Sequence, residues 1–141
     1  MADWFWYSIG AAVLYGAHQI FTRLASEQIG DALGGLVVES VAALAILAYI
    51  LSLWLSGQWN QKFSWVGFNY SALTGLCVGA GTVAFFLLFQ KGAPLTVVPA
   101  ILAGGAAMMA IAGIVFFHEA VSWQRLLGVA FAIGGLVLLR R

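Results

Sequence analysis

Glu39 is the residue whose type and position most clearly suggest chemistry in this sequence. It lies seven positions inside an apolar stretch, 32–55, whose other overtly polar residues are Ser40 and Ser52. At a rise of 1.5 Å per residue, that position is roughly 10 Å from the helix end. An ionisable group so deep in a bilayer costs on the order of 2.5 kcal/mol unless it is paired, hydrated or protonated. We therefore expect Glu39 to exchange a proton or to bind substrate.

His18 is the second candidate and an expected neighbour of Glu39. It precedes the end of the first apolar stretch, Leu24, by six positions, which is a similar depth of roughly 9 Å. Helical spacing places Tyr15 near the face of His18, where its ring could stack on a substrate. The alternative interpretations are a paired Glu39 that only fixes helix packing and a His18 that caps the helix end.

Apolar helices must position these residues. The 141 residues are 63% hydrophobic and only 8% charged, whereas soluble domains carry about 25% charged residues. Because about 20 apolar residues span a bilayer, the sequence predicts an all-α integral membrane protein. We predict one domain over 1–141 with five transmembrane helices, at about 4–24, 32–55, 65–89, 94–117 and 123–139.

Further residues suggest packing or gating roles. On the third helix, Gly75 and Gly79 continue a small-residue stripe, which would serve either close helix packing or a substrate groove. Pro99 falls inside the predicted fourth helix, where a missing N–H predicts a bend. Glu119 follows that helix and would either fix the turn, by pairing with Arg125 or favouring the next helix dipole, or act in gating.

Several classes of function find no support in the sequence. Cys77 is the single cysteine, and no cluster of metal ligands or catalytic set is recognisable, so we expect no metal, no cofactor and no enzymatic activity. The sequence also lacks a run of basic residues that could bind nucleic acid.

A series of spaced motifs follows Gly75: Lys91-Gly92-Ala93, Val98-Pro99, Phe117-His118-Glu119 and Arg125-Leu126-Leu127-Gly128. With this pattern the chain resembles the single-domain, five-helix EamA-type members of the drug/metabolite transporter superfamily. The resemblance covers nearly the whole chain and is strongest after Gly75. It implies one EamA-type unit that transports small organic molecules.

The resemblance also bears on assembly and orientation. Larger members fuse two inverted units, and inverted repeats form their substrate site at the interface. A lone unit therefore suggests a homodimer, for which an antiparallel arrangement, a parallel one or a different partner chain all stay open. Basic residues favour a multi-pass protein of the cell (inner or plasma) membrane with a cytoplasmic C-terminus. They are Lys62 and Arg125 on one side, and Arg23, Lys91, Arg140 and Arg141 on the other.

The sequence thus predicts a transporter of small organic metabolites or drug-like compounds. Its partners would be membrane lipids, a small-molecule substrate and a second copy of the chain. Transport would proceed by alternating access with proton coupling through Glu39. A deep acidic group without a deep basic one favours a cationic or zwitterionic substrate. The alternatives are a lipid-linked sugar flippase and a non-transporting membrane interaction subunit.

Overall fold

Five α-helices and one short 3₁₀ turn make up the described chain. The computed structural model describes residues 4–119 and 122–138, apart from the side chains at 125, 132, 133 and 136. The elements are α1 (Trp4–Ser26), α2 (Asp31–Leu55), α3 (Trp65–Gln90), a 3₁₀ turn (Leu95–Val97), α4 (Val98–Val115) and α5 (Trp123–Leu138). Since every element of the described residues is helical, the all-α prediction is confirmed.

Local chemistry explains where several helices begin. The Ser64 side chain accepts a hydrogen bond from the Gly67 N–H at 3.0 Å, which caps α3. The fourth helix begins at Val98 rather than near Pro94, so Pro99 lies in its first turn. A first-turn residue needs no N–H for the helical hydrogen-bond pattern. The bend predicted at Pro99 from a mid-helix position therefore has no physical cause.

Three of the helical segments are long and apolar enough to cross a membrane, within the residues described: Asp31–Leu55, Trp65–Gln90 and Leu95–Val115. Helix α1 has 23 residues but is polar in its second half. Helix α5 has 16 described residues, about 24 Å against a hydrocarbon core of about 30 Å. The structure thus supports a membrane protein with three candidate spans, and not the five predicted.

The chain divides into two compact units, Met1–Gly92 and Ala93–Arg141. In the first unit, α3 contacts both α2 and α1, and its contact with α2 is the more extensive. In the second unit, α4 and α5 pack against each other. The prediction of a single domain stays a prediction.

The contact between α2 and α3 depends on two glycines. A Cβ at Gly34 would overlap the Phe86 ring, at 2.6 Å from Cζ, and a Cβ at Gly35 would lie 3.1 Å from Val83 Cγ2. Phe86 is completely buried. The missing side chains therefore let the aromatic ring lie directly on the α2 backbone, which is the close approach that small residues permit in membranes.

The first unit buries several polar side chains beside Phe86 and Phe89, and its exterior is apolar. Its buried polar side chains are Gln19, Thr22, Ser26 and Thr82. Large apolar side chains of α2, such as Leu36, Val41 and Leu44, are more than half exposed. Because an apolar exterior suits lipid and polar groups in membranes face the bundle interior, this distribution fits helices that sit in a bilayer around a polar interior.

The contact at Gly34 leads to a stability prediction. We expect Gly34→Ala to destabilise the first unit by about 1–3 kcal/mol, because the buried Phe86 ring must move. Gly79→Ala is the matched control, since a Cβ there would meet no described atom within 4 Å. The measurement is SDS denaturation in detergent micelles, followed by far-ultraviolet circular dichroism. Equal unfolding midpoints for the two variants would contradict the contact.

Candidate functional site

Glu39 and Thr82 form the hydrogen bond at the centre of the candidate site. The Thr82 hydroxyl donates to Glu39 Oε1 at 2.6 Å, a short distance within the range of O–H···O hydrogen bonds. Thr82 is buried, and Glu39 is partly buried. The same hydroxyl lies 3.0 Å from the Val78 carbonyl one turn earlier in α3. This hydrogen bond is a second contact between α2 and α3, in addition to the one between Gly34 and Phe86.

The two partners meet because they lie at matching depths on antiparallel helices. Glu39 is eight residues after Asp31, the first residue of α2, and Thr82 is eight residues before Gln90, the last of α3. Each is therefore about 12 Å from its helix end. The carboxylate is held well inside the segment that can cross a membrane, at a depth where an interhelical hydrogen bond replaces lost hydration.

Helix α1 contributes His18 and Gln19 at nearly the same depth. They precede the end of α1, Ser26, by eight and seven residues, or about 12 and 10 Å. His18 Nδ1 and Gln19 Oε1 are both buried and have no hydrogen-bond partner among the described residues. No ion pair joins His18 to Glu39 in that part of the chain, so the predicted contact between them is replaced by the bond from Thr82.

Tyr15 lies beside His18 on α1, as helical spacing predicted. The two ring centroids are 6.5 Å apart, with the rings inclined at 62°. The Tyr15 side chain is 66% exposed. A ring with this exposure is available for stacking, and its substrate-binding role stays a prediction.

Three contacts tie the helices together at the end of the unit that holds the α1–α2 loop. Arg23 Nη1 lies 2.8 Å from Glu27 Oε1, and the Arg23 guanidinium lies 5.8 Å from the centroid of the Phe89 ring. Gln90 Nε2 donates to the Ile29 carbonyl at 3.1 Å. These contacts join α1, the loop and α3 on one side of Glu39 and leave the Arg23 cation engaged away from it.

The remaining predicted residues lie elsewhere. A Cβ at Gly75 or Gly79 would meet no described atom within 4 Å, so the stripe packs no described helix closely. In the second unit, the Glu119 N–H donates to the Gly113 carbonyl at 3.1 Å, after His118 adopts a left-handed φ of 52°. This hydrogen bond uses the backbone of residue 119, so the predicted roles of the Glu119 side chain, in fixing the turn or in gating, stay predictions. The Arg125 side chain lies outside the described residues, so its predicted pairing with Glu119 stays a prediction.

Sequence reasoning missed Thr82 and Gln19. A threonine in an apolar helix is ordinary, because its hydroxyl can bond the carbonyl four residues earlier. The available signal was depth: counting from the two helix ends places Thr82 level with Glu39. For Gln19 the signal was its spacing of three and seven residues from Thr22 and Ser26, which puts three polar side chains on one face of α1.

Comparison with known proteins gives one informative likeness. A Sinorhizobium protein named "Uncharacterized transporter in cobO 3'region" is 28% identical over 139 residues, which span 97% of this chain and 96% of that protein. No protein-family model matches the chain, and no solved structure matches it. The likeness is consistent with a transport role and names no substrate.

The hydrogen bond between Glu39 and Thr82 leads to a prediction. We expect Thr82→Val to destabilise the α2–α3 pair by about 1 kcal/mol, the usual size of an interhelical hydrogen bond in membranes. Thr82→Ser should restore most of the loss. Thr74→Val is the matched control, because the exposed Thr74 hydroxyl donates only to the Tyr70 carbonyl, at 2.9 Å. Denaturation by SDS measures all three variants, and an equal loss in Thr74→Val would refute the interhelical contribution.

Proposed function

We propose that this protein is a membrane transporter of small organic compounds and that Glu39 is its proton-coupling carboxylate. The observation that carries the proposal is the Glu39–Thr82 hydrogen bond of 2.6 Å inside a unit whose exterior is apolar. Intramembrane ionisable residues that face a polar interior are those that mark substrate and proton pathways. The likeness to a protein named as a transporter supports the same class of function.

Glu39 would act by exchanging a proton for substrate. In its ionised form it accepts from Thr82 and attracts a cation or a hydrogen-bond donor. In its protonated form Glu39 carries no charge, which lowers the free-energy cost of keeping it in the membrane interior while the site changes sides. Alternating access would expose this group to one side of the membrane at a time. The contacts that Arg23 and Gln90 make lie on one side of Glu39. They would have to break and form again as access alternates.

The proposal also includes the topology that the resemblance to EamA-type proteins implies. All five helices would cross the cell membrane, α1 and α5 with support from neighbouring helices, and the C-terminus would be cytoplasmic. Two copies would form the complete transporter, in parallel or antiparallel orientation. An interaction subunit and a lipid-linked sugar flippase are the rivals, and the uptake experiment below distinguishes the first of them from a transporter.

Replacement of Glu39 tests the coupling. Native chain and variants are reconstituted in liposomes, a pH gradient is imposed, and compounds taken up from a metabolite extract are identified by untargeted mass spectrometry. We expect the native chain to accumulate specific compounds, and Glu39→Gln to reduce their accumulation about tenfold or more. Asp31→Asn is the matched control, because it removes a carboxylate from the first turn of the same helix without touching the Glu39–Thr82 bond or the Arg23 contacts.

Two results would count against the proposal. If the native chain accumulates no compound beyond protein-free liposomes, the transporter class fails and the interaction subunit gains. If Glu39→Gln accumulates the same compounds to the same level, transport stands but coupling through Glu39 is wrong.

Cys77 allows the pairing of two copies to be tested. It is the single cysteine of the sequence, and it is exposed on α3. A spin label there should give one defined distance between the two copies of a homodimer, measured by pulsed electron resonance in lipid nanodiscs. Dilution with unlabelled chain should remove the signal. If fully labelled protein in nanodiscs gives no dipolar modulation, the two Cys77 labels are farther apart than the method can measure, which would contradict a homodimer with neighbouring α3 helices.

A further inference from the structure

We propose that Gln19 and His18 on α1 bind the N–H groups of an ammonium-bearing substrate whose charge is met by Glu39. This inference rests on the proposed transport function and names its substrate class. It goes beyond the charge argument from sequence, because it assigns recognition to hydrogen-bond donation and to Gln19, and it separates primary and secondary ammonium compounds from quaternary ones.

The unpartnered atoms on α1 are the first observation. Gln19 is 6% exposed, and its Oε1 has no hydrogen-bond partner among the described residues. The preceding residue, His18, also has a buried atom, Nδ1, without a hydrogen-bond partner among the described residues. Because buried polar atoms in folded proteins are nearly always hydrogen-bonded, two adjacent exceptions on one helix indicate groups kept for a ligand.

The supply of hydrogen-bond donors around these atoms is the second observation. Of the buried hydroxyl side chains, Ser26 donates to the Arg23 carbonyl at 2.8 Å, Thr82 donates to Glu39, and Thr22 is buried without a hydrogen bond to the described residues. The interior thus holds an amide oxygen, an imidazole nitrogen and a carboxylate against one hydroxyl that still has its hydrogen to donate. An ammonium group has three N–H donors and no acceptor, so it complements this set.

Charge decides between an ammonium ion and a neutral donor. Glu39 has no ion-pair partner within the described part of the chain, and the Arg23 cation is paired with Glu27 and held over Phe89. Ionised Glu39 would therefore place one negative charge at the helical depth of Gln19, with no cation of the described residues paired to it. Interactions between charges are stronger in a protein interior than in water, which favours a cationic ligand over a neutral one.

Three probes of similar shape separate hydrogen bonding from charge. They are phenethylammonium, its N,N,N-trimethyl derivative, and 2-phenylethanol, and the aromatic group suits the exposed Tyr15 ring. Binding to the full chain in lipid nanodiscs is measured by isothermal titration calorimetry. We expect phenethylammonium to bind about tenfold more tightly than the trimethyl compound, a difference of about 1.4 kcal/mol, and 2-phenylethanol to bind least.

Variants assign the effect to α1. Gln19→Leu should weaken phenethylammonium binding about tenfold and leave binding of the trimethyl compound unchanged, since only the former donates N–H groups. Gln28→Leu is the matched control, because Gln28 is exposed in the α1–α2 loop and should alter neither affinity. If circular dichroism shows that Gln19→Leu is not folded, His18→Phe makes the same test on the neighbouring atom.

The inference is overturned if the two cations bind the native chain equally, or if phenethylammonium does not bind at millimolar concentration. It is also overturned if folded Gln19→Leu and His18→Phe both keep the native preference. These failures are distinguishable from failure of the transport proposal, which is tested by uptake from a metabolite extract without any of these probes. Uptake that depends on Glu39, combined with equal affinities for the two cations, would reject the substrate class alone.

Discussion

The cost of placing a carboxylate inside an apolar helix is the constraint on which the first unit depends. A carboxylate at that depth is costly unless it is paired, hydrated or protonated, and Thr82 donates a hydrogen bond to Glu39 at 2.6 Å. That distance requires α3 to lie close against α2. The closeness in turn requires Gly34 and Gly35, because any side chain at Gly34 would occupy the space of the buried Phe86 ring. Two glycines and one aromatic ring therefore set the position of the polar group.

Much of the fold followed from the sequence because hydrophobic length is a strong signal. The apolar runs predicted the bounds of α2 and α3 within a residue or two, and they identified Glu39 as an unusual group at depth. Helix α4 was less well predicted. Pro94, five residues before Pro99, indicates the start of the helix, but a 3₁₀ turn follows it and α4 begins at Val98. Three of the five predicted membrane spans have the necessary length and apolar composition within the described residues, and α1 falls short because its second half carries polar side chains.

The partner of Glu39 could not be predicted in the same way. Which side chain meets a carboxylate depends on how two helices cross and rotate, and periodicity fixes neither quantity. His18 was expected on grounds of depth and charge, but α1 packs more on α3 than on α2. Thr82 is the partner because, within the first unit, α2 and α3 pack against each other more extensively than either packs against α1. Gln19 could not be predicted for a related reason. A glutamine near a helix end is ordinarily exposed, and only the packing of α1 buries this one.

Thr82 carries one hydroxyl hydrogen and has two acceptors within reach, Glu39 Oε1 and the Val78 carbonyl. A single hydrogen cannot satisfy both acceptors fully. A hydrogen bond from a threonine hydroxyl to the carbonyl one turn earlier tends to bend a helix. When Glu39 accepts the Thr82 hydrogen instead, that bond to Val78 weakens, and the curvature of α3 changes with it. Proton occupancy at residue 39 and the shape of the neighbouring helix are therefore not independent variables in this protein.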